Sequence, residues 1–205
     1  MRGFFITFEG PEGSGKSSQS ARLARALRRA GRSVAVVRDP GSTDLGRRLR
    51  QVLLHSRHRL SPMTEALLFI AGRIQLVEEL IAPALKAGRV VVCDRFHDST
   101  VAYQGYGGRL DARRLDQLGR RAIGGVMPDL TIVLDVPTGV GFARLRHARD
   151  RMERKAAAFH RRVRQGFLRI ARAEPGRVVV IDAAQPAAHI HREIMAVITT
   201  RLRRR

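Results

Sequence analysis

The chain has 205 residues, and its 39 Lys and Arg against 18 Asp and Glu give a formal net charge of +21. Apolar residues make up 44% of it, which is enough for a core, and the length fits one globular domain better than two large ones. This composition excludes a disordered tail and a fibrous repeat. The basic excess points to a nucleic-acid or anionic-membrane partner, a hypothesis that the rest of the sequence must test.

The sequence carries no sign of secretion or membrane insertion. Its one cysteine, Cys93, excludes an internal disulfide and is typical of a reducing compartment. The apolar run at residues 4–8 is too short for a secretion signal or a membrane span. We therefore expect a soluble cytoplasmic protein with no membrane partner.

Five short apolar runs, rich in β-branched or aromatic residues, each precede a longer stretch with helical spacing. None alternates cleanly between apolar and polar residues, as expected for strands buried on both faces of a parallel sheet. The predicted strands are residues 4–8, 33–37, 89–93, 129–136 and 177–181. The predicted helices are residues 16–30, 45–54, 64–87, 112–123, 139–148, 153–173 and 187–201. This alternation predicts an α/β fold: a doubly wound five-stranded parallel sheet with helices on both faces and ligands at the carboxyl ends of its strands.

Residues 144–155 differ from the other segments because Arg and His alternate there with few apolar anchors. Such a run is ordinarily a solvated helix face, but it is also compatible with a mobile flap. Turn-forming sequences, among them residues 39–42 and 105–108, separate the other elements. No linker is long enough to divide the chain, so we expect a single domain over residues 1–205.

Residues 10–17 read Gly-Pro-Glu-Gly-Ser-Gly-Lys-Ser, which satisfies the Walker A pattern between a predicted strand and a predicted helix. In that context the backbone N–H groups at the helix N-terminus point at an anion. Lys16 would reach the β- and γ-phosphates, and the Ser17 hydroxyl would hold Mg²⁺. The pattern therefore predicts an ATP site of the P-loop NTPase type. Its predicted residues are Gly10, Pro11, Glu12, Gly13, Ser14, Gly15, Lys16, Ser17 and Ser18.

An acidic residue and an arginine follow the third predicted strand. Asp94 is where such proteins carry an acid that organises the metal, although a solvated Asp at a strand end is also common. Arg95, next to it at the ligand-bearing edge, could grip a second phosphate-bearing substrate bidentately. The pair favours a kinase over an ATPase.

Five segments carry a resemblance to one family. Residues 8–19 look like its phosphate loop, with an acidic residue inside the loop, and residues 94–105 look like its Asp-Arg signature running into Ser-Thr and Ala-Tyr-Gln-Gly. Residues 38–43 are similar to its Arg-Glu-Pro-Gly-Gly-Thr, apart from Asp and Ser at two positions. Residues 69–75 are similar to its Phe-x-Ala-x-Arg-x-Gln helix, and residues 128–136 to its fourth strand. The chain thus resembles the bacterial thymidylate kinases, which implies a homodimeric nucleoside-monophosphate kinase that phosphorylates dTMP with Mg-ATP for dTTP synthesis.

The resemblance also implies roles around the phosphates. Ser17 would position Mg²⁺, with help through water from Asp94 or Glu9. Arg95 would clamp the phosphate of dTMP, assisted by Arg38. No covalent enzyme intermediate is needed, because catalysis is mostly positioning and charge neutralisation.

For the nucleoside, the resemblance implies that Glu12 accepts a hydrogen bond from the 3′-hydroxyl and that Phe69 stacks on thymine. Arg73 would donate to a thymine carbonyl, and Tyr103 would crowd the 2′ position against a ribose hydroxyl. Two polar side chains of the 94–105 segment would border the base. From spacing alone, Phe69 would instead be a core residue and Arg73 a surface charge. The implied substrate-binding residues are Glu12, Arg38, Phe69, Arg73, Arg95, Ser99, Thr100, Tyr103 and Gln104.

Some members of this family carry an arginine in the phosphate loop, whereas others supply it from a lid. The loop here has none, which implies the second kind, with a lid at about residues 144–155. Residues 150–153, Asp-Arg-Met-Glu, resemble the family's Asp-Arg-Ile-Glu in that lid. The implied catalytic residues are Lys16, Arg95 and the lid candidates Arg146, Arg149 and Arg151.

Two other functions stay open at this point. Another nucleoside-monophosphate or small-metabolite kinase would share the phosphate loop but have different base contacts. A nucleic-acid-dependent P-loop ATPase would explain the charge but should interleave aromatic with basic residues. Aromatic residues are only 5% of the chain and Trp is absent, so we expect no specific nucleic-acid partner.

Overall fold

The computed structural model describes residues 3–56, 59–145 and 150–203. The strands are β1 (Phe4–Glu9), β2 (Val34–Arg38), β3 (Val90–Asp94), β4 (Leu130–Asp135) and β5 (Val178–Asp182). Within the described residues they form one five-stranded parallel sheet in the order β2-β3-β1-β4-β5. Each predicted strand overlaps an observed one, so the predicted sheet is confirmed. Its central strand, β1, leads directly into the phosphate loop.

The helices are α1 (Lys16–Arg29), α2 (Asp44–His55), α3 (Pro62–Leu76), α4 (Ala82–Lys86), α5 (His97–Thr100), α6 (Ala112–Ala122), α7 (Thr138–Ala143), α8 (Ala157–Ala173) and α9 (Ala187–Arg203). A π-helical turn, Val77–Ile81, joins α3 to α4, and a second, Val101–Gly107, extends α5. In the part of the chain that is described, no helix combines the length and apolar character needed to cross a membrane.

Alternate side chains of the strands pack against helices on opposite faces of the sheet. Phe4, Ile6 and Phe8 of β1 pack with the apolar faces of α1 and α9. Phe5 lies on the opposite face of the sheet, where it packs with the helical run that ends in α4. Both faces are therefore covered by helices, which explains why the strand sequences lack a polar alternation.

Residues 97–107 form a continuous helical segment, whereas the sequence predicted a turn at residues 105–108. Glycine and β-branched residues are poor helix formers, so this segment carries little local helical signal. It is helical because it packs closely along α8. A Cβ on Gly107 would lie 2.7 Å from the Phe159 ring, and only glycine permits that approach. Tertiary packing overrides local propensity here.

The predicted helix at residues 153–173 begins later, at Ala157. The reason is a turn just before it, in which the Asp150 carboxylate accepts hydrogen bonds from two following backbone N–H groups at 2.8 and 2.9 Å. The predicted helix at residues 139–148 likewise ends early, at Ala143. Part of the predicted lid is thus a turn that packs beside the end of α2.

Candidate active site

The phosphate loop follows β1 at the centre of the carboxyl edge of the sheet. Gly10, Gly13 and Gly15 have positive φ angles of 132°, 67° and 88°. A Cβ on Gly13 would lie 1.9 Å from the carbonyl oxygen of Gly141, so this position requires glycine. Helix α1 starts here with no side-chain cap and no acidic residue in its first turn. Its first N–H groups can therefore bind an anion.

Lys16 is buried inside this loop. Its Nζ donates to the carbonyl oxygens of Gly10 at 3.0 Å and Pro11 at 2.7 Å and to Ser14 Oγ at 3.3 Å. Burial and the neighbouring Arg95 charge lower the pKa of Lys16 to about 8, although nearby carboxylates act in the opposite direction. These three acceptors are uncharged. Hydrogen bonds from Nζ to the charged oxygens of a phosphate would be stronger than those to the present acceptors.

Acidic and hydroxyl oxygens meet beside the loop. Ser17 Oγ donates to Asp94 Oδ2 at 2.5 Å, because β3 pairs with β1 and ends next to α1. Glu9 is fully buried and accepts hydrogen bonds from Phe96 N at 2.7 Å and Ser99 Oγ at 2.5 Å. Burial and the neighbouring negative charge of Asp98 raise the pKa of Glu9.

This donor set fits Mg²⁺. A magnesium ion takes few protein oxygens and completes its shell with waters and substrate phosphates. The adjacent oxygens of Ser17 and Asp94 match that requirement, and Glu9 lies one strand away. Among the described residues, no group of three or more His, Cys, Asp and Glu side chains could hold a metal by itself.

Arg95 is held rigidly over the phosphate loop. Its Nη2 donates to Glu12 Oε2 at 2.9 Å, its Nη1 donates to Ser99 Oγ at 3.2 Å, and its guanidinium lies 5.1 Å from the Tyr103 ring centre. Its backbone has a φ of 67°, a left-handed conformation that is rare outside glycine and is concentrated at functional sites. The fixed guanidinium is preorganised for an anion.

Glu12 links the loop to the pocket beside it. Its Oε1 accepts a 2.5 Å hydrogen bond from the Tyr103 hydroxyl, in addition to the ion pair with Arg95. Burial alone would raise the pKa of Glu12, but the charges of Arg95 and Lys16 and the bond from Tyr103 outweigh it and lower the pKa to about 2. Glu12 is therefore an ionised acceptor over the whole neutral range.

Three arginines line one side of the pocket. Besides Arg95, these are Arg38, whose half-exposed side chain lies 3.5 Å from Asp94, and Arg50 of α2. Burial and the charges of Arg38 and Arg95 lower the pKa of Arg50. Sequence reasoning missed Arg50 because nothing distinguishes it from the other arginines of the predicted helix 45–54. Three converging cations make this wall a site for a multiply charged anion.

The pocket also contains the Phe69 ring and a buried ion pair. Phe69 is half-buried, and Arg73 is almost fully buried. Arg73 Nε donates to Asp39 Oδ2 at 2.5 Å and its Nη2 to Thr100 Oγ1 at 2.9 Å. Its Nη1 has no hydrogen-bond partner among residues 3–56, 59–145 and 150–203. A buried donor without a partner is costly, so an acceptor on a ligand in this pocket would stabilise it.

All of the predicted substrate-binding residues line this same pocket. The sequence did not predict the remaining lining residues as site residues. They are Asp39, Pro40, Arg50, Leu54, Asp150, Met152 and Glu153. Only Arg50 and Leu54 lie outside the segments that carry the resemblance, because Asp39 and Pro40 belong to residues 38–43 and the last three belong to residues 150–153.

The lid arginines divide into two groups. Arg146 and Arg149 lie outside the described residues. Arg151 donates from Nε to the carbonyl oxygen of Leu53 at 2.7 Å and from Nη1 to Glu65 Oε1 at 2.6 Å. Its guanidinium is thus bound to the end of α2 and to α3 rather than to the phosphate loop.

Comparisons with known proteins agree with this geometry. A family model described as thymidylate kinase matches residues 8–194. The chain is 47% identical over 202 residues to the thymidylate kinase of Deinococcus radiodurans, with 98% of both chains covered. It is 50% identical over 198 residues to that of a Synechococcus species, covering 97% of this chain and 95% of the relative.

Solved structures give the same result. The crystal structure of thymidylate kinase from Ehrlichia chaffeensis is similar with a TM-score of 0.79 and 36% sequence identity, covering 97% of this chain and 99% of that one. Matches of this identity and coverage extend over the sheet, the phosphate loop and the pocket beside it. The chain belongs to the thymidylate kinase family.

Proposed function

We propose that this protein transfers the γ-phosphoryl group of ATP to the phosphate of dTMP, giving ADP and dTDP. A phosphate oxygen of dTMP forms the new bond to the γ-phosphorus, and the bond from that phosphorus to the β–γ bridging oxygen breaks. The observation that carries the proposal is the three-arginine wall that meets the phosphate loop at Glu12. It provides a second phosphate site directly beside the first.

On the donor side, the N–H groups of α1 and the Lys16 ammonium surround the phosphates of ATP. Ser17 and Asp94 would hold Mg²⁺, with Glu9 close by. When bound, the ion neutralises charge on the β- and γ-phosphates. Lys16 stabilises the charge that develops on the transferred group, because it is already fixed and largely desolvated.

On the acceptor side, Arg95 grips the phosphate of dTMP, and Arg38 and Arg50 add charge around it. The ion pair with Glu12 keeps the Arg95 guanidinium in place before substrate arrives. Glu12 accepts a hydrogen bond from the 3′-hydroxyl, and the Tyr103 ring fills the space where a ribose 2′-hydroxyl would lie. Positioning of the two phosphates accounts for most of the catalysis.

The base lies against the half-buried Phe69 ring, and Arg73 Nη1 donates to a thymine carbonyl. Thr100 and Gln104 border the base from the π-helical side of the pocket. This arrangement satisfies the buried donor of Arg73 that otherwise lacks a partner among the described residues. A base with no carbonyl at the position that faces Arg73 would leave Nη1 without an acceptor. This disfavours nucleoside monophosphates that carry such a base.

Residues 144–155 would form the lid, and one of Arg146, Arg149 and Arg151 would reach the transferring group. Because Arg151 binds Glu65, the other two are the better candidates. A single domain, a homodimer and a cytoplasmic location remain predictions. The alternative functions, another small-metabolite kinase or a nucleic-acid-dependent ATPase, are not favoured by the family relationship.

A coupled assay of ADP formation tests the proposal. We expect turnover with dTMP to exceed that with dCMP, dGMP and AMP, and to be unaffected by added DNA. The matched control is Lys16→Ala, which should fold normally and lose about 10²- to 10³-fold in kcat, the usual effect of removing one donor from a developing charge. Equal rates with all four monophosphates would overturn the substrate assignment, and DNA-dependent turnover would favour the ATPase.

A further inference from the structure

The Glu65 carboxylate is buried outside the substrate pocket, where three side chains donate hydrogen bonds to it. Gln104 Nε2 donates to its Oε2 at 3.0 Å, and Arg151 Nη1 donates to its Oε1 at 2.6 Å. Lys155 Nζ bridges both oxygens at 2.9 and 3.0 Å. Only 1% of the Glu65 side chain is exposed, so these contacts replace its hydration almost completely.

The two cations keep Glu65 ionised. Burial alone would raise the pKa of Glu65, but hydrogen bonds from Lys155, Arg151 and Gln104 outweigh burial and lower the pKa. An ionised carboxylate accepts hydrogen bonds and cannot donate one. The NH₂ group of the Gln104 amide must therefore face Glu65. In the reverse orientation, Gln104 Oε1 would face a carboxylate oxygen of Glu65, and neither atom could donate a hydrogen bond.

This constraint determines which group Gln104 offers to a ligand. Gln104 lines the substrate pocket, and its Oε1 is buried with no hydrogen-bond partner among the described residues. Arg73, on the same pocket, has the unpartnered donor Nη1. Asp39 Oδ1 is a second buried acceptor without a partner among the described residues, on the carboxylate whose Oδ2 binds Arg73. For a base, the pocket thus has Arg73 Nη1 as a donor and Gln104 Oε1 as an acceptor. Thymine presents the complementary pair, the N3–H donor next to the O4 acceptor, whereas cytosine presents an N3 acceptor next to an amino donor.

We propose that Glu65 is a positioning residue for base specificity: it fixes the Gln104 amide with its oxygen available to the base, and so favours thymine over cytosine. The inference rests on the proposed function and deepens it. Glu65 itself does not contact the base. It acts through Gln104, and residues Arg151 and Lys155 of the predicted lid act on Gln104 only by holding the Glu65 charge.

The first test is Glu65→Gln. A glutamine at this position offers both a donor and an acceptor, so the Gln104 amide can take either orientation. We expect the preference for dTMP over dCMP in kcat/KM to fall by at least about tenfold, through a higher KM for dTMP, with kcat at saturating dTMP changed less than about threefold. The matched control is Glu78→Gln, an exposed carboxylate on the same helical run, which should leave the preference unchanged.

A double-mutant cycle separates positioning from a general structural effect. Gln104→Met removes the amide at similar volume, and in that background Glu65→Gln should not change the remaining preference. If Glu65→Gln lowers the preference equally in both backgrounds, Glu65 acts by another route and the proposal is overturned. An unchanged preference in Glu65→Gln alone also overturns it.

The unaltered enzyme provides a measurement that does not depend on a variant folding. N3-methylated dTMP keeps both carbonyls and lacks the N3 proton. Its inhibition constant should therefore be at least about tenfold higher than the dissociation constant of dTMP. Equal binding of the two would overturn the inference. If the unaltered enzyme has no preference for dTMP over dCMP, the proposed function fails; if it has one and Glu65→Gln retains it, only the role of Glu65 fails.

Discussion

The phosphate loop and the base pocket lie side by side, but they are built in different ways. The loop is one continuous segment, and its shape depends on three left-handed glycines and on backbone carbonyls that hold Lys16. The base pocket is assembled from side chains of several elements, held by buried pairs such as Arg73 with Asp39. Substitutions that add side-chain volume should therefore damage the loop most. Substitutions that remove one member of a charged pair should damage the pocket most.

The largest effect is expected from Gly13→Ala in the loop. Its Cβ would lie 1.9 Å from a backbone oxygen of Gly141, so the loop or the start of α7 must move. Displacing several phosphate-binding N–H groups at once should lower kcat/KM for ATP by at least about 10³-fold, or about 4 kcal/mol. Steady-state kinetics at saturating dTMP measures this loss.

Gly15→Ala is the matched control for that variant. Gly15 also has a positive φ, but a Cβ there would have no atom within 4 Å. Only the left-handed strain of about 1–2 kcal/mol remains, so the loss should be smaller by at least one order of magnitude. Equal losses of kcat/KM in the two variants would show that backbone strain, rather than crowding against α7, causes the loss of activity.

The second-largest effect is expected from removing a charged side chain from the base pocket. Arg73→Met leaves the Asp39 carboxylate buried without its ion-pair partner. Breaking a buried pair from one side should lower the free energy of unfolding by about 3 kcal/mol, measured by urea denaturation, and the KM for dTMP should rise. Nothing comparable is expected for stability when Ser18, an exposed residue in the first turn of α1 beside the loop, is replaced by Ala.

The double variant Arg73→Met, Asp39→Asn identifies the cause of that loss. A neutral amide costs far less to bury than an unpaired carboxylate, so at least half of the lost stability should return while the KM for dTMP stays high. If stability does not recover, the loss comes from the packing of the Arg73 side chain, which lies 5.4 Å from the Phe96 ring centre, and not from its charge.

The same contrast explains what the sequence predicts well. The loop is local: its glycines and Lys16 contact one another within a few residues, so a short pattern identifies it. The pocket is not local, because Arg73 meets Asp39 and Thr100, which are far away along the chain. Spacing alone makes Arg73 a surface charge, yet it is among the most buried side chains.

Glu65 shows the limit of local reasoning more clearly. An acid in the first turn of α3 is expected to be a solvated residue that interacts with the helix dipole. It is instead buried by partners from the π-helical segment and from the turn before α8, two places where the helices predicted from the sequence differ from those observed. Only the family resemblance drew attention to Gln104, and nothing in the sequence indicated its partner.

The smallest effect is expected where the two regions meet, at the hydrogen bond from Tyr103 to the loop residue Glu12. Tyr103→Phe removes one donor from a carboxylate that keeps its ion pair with Arg95, so the KM for dTMP should rise by about fivefold, or about 1 kcal/mol. The ring remains, so the preference for dTMP over its ribonucleotide should not change. A loss of that preference in Tyr103→Phe would mean that the hydroxyl, through Glu12, and not the volume of the ring, excludes the 2′-hydroxyl.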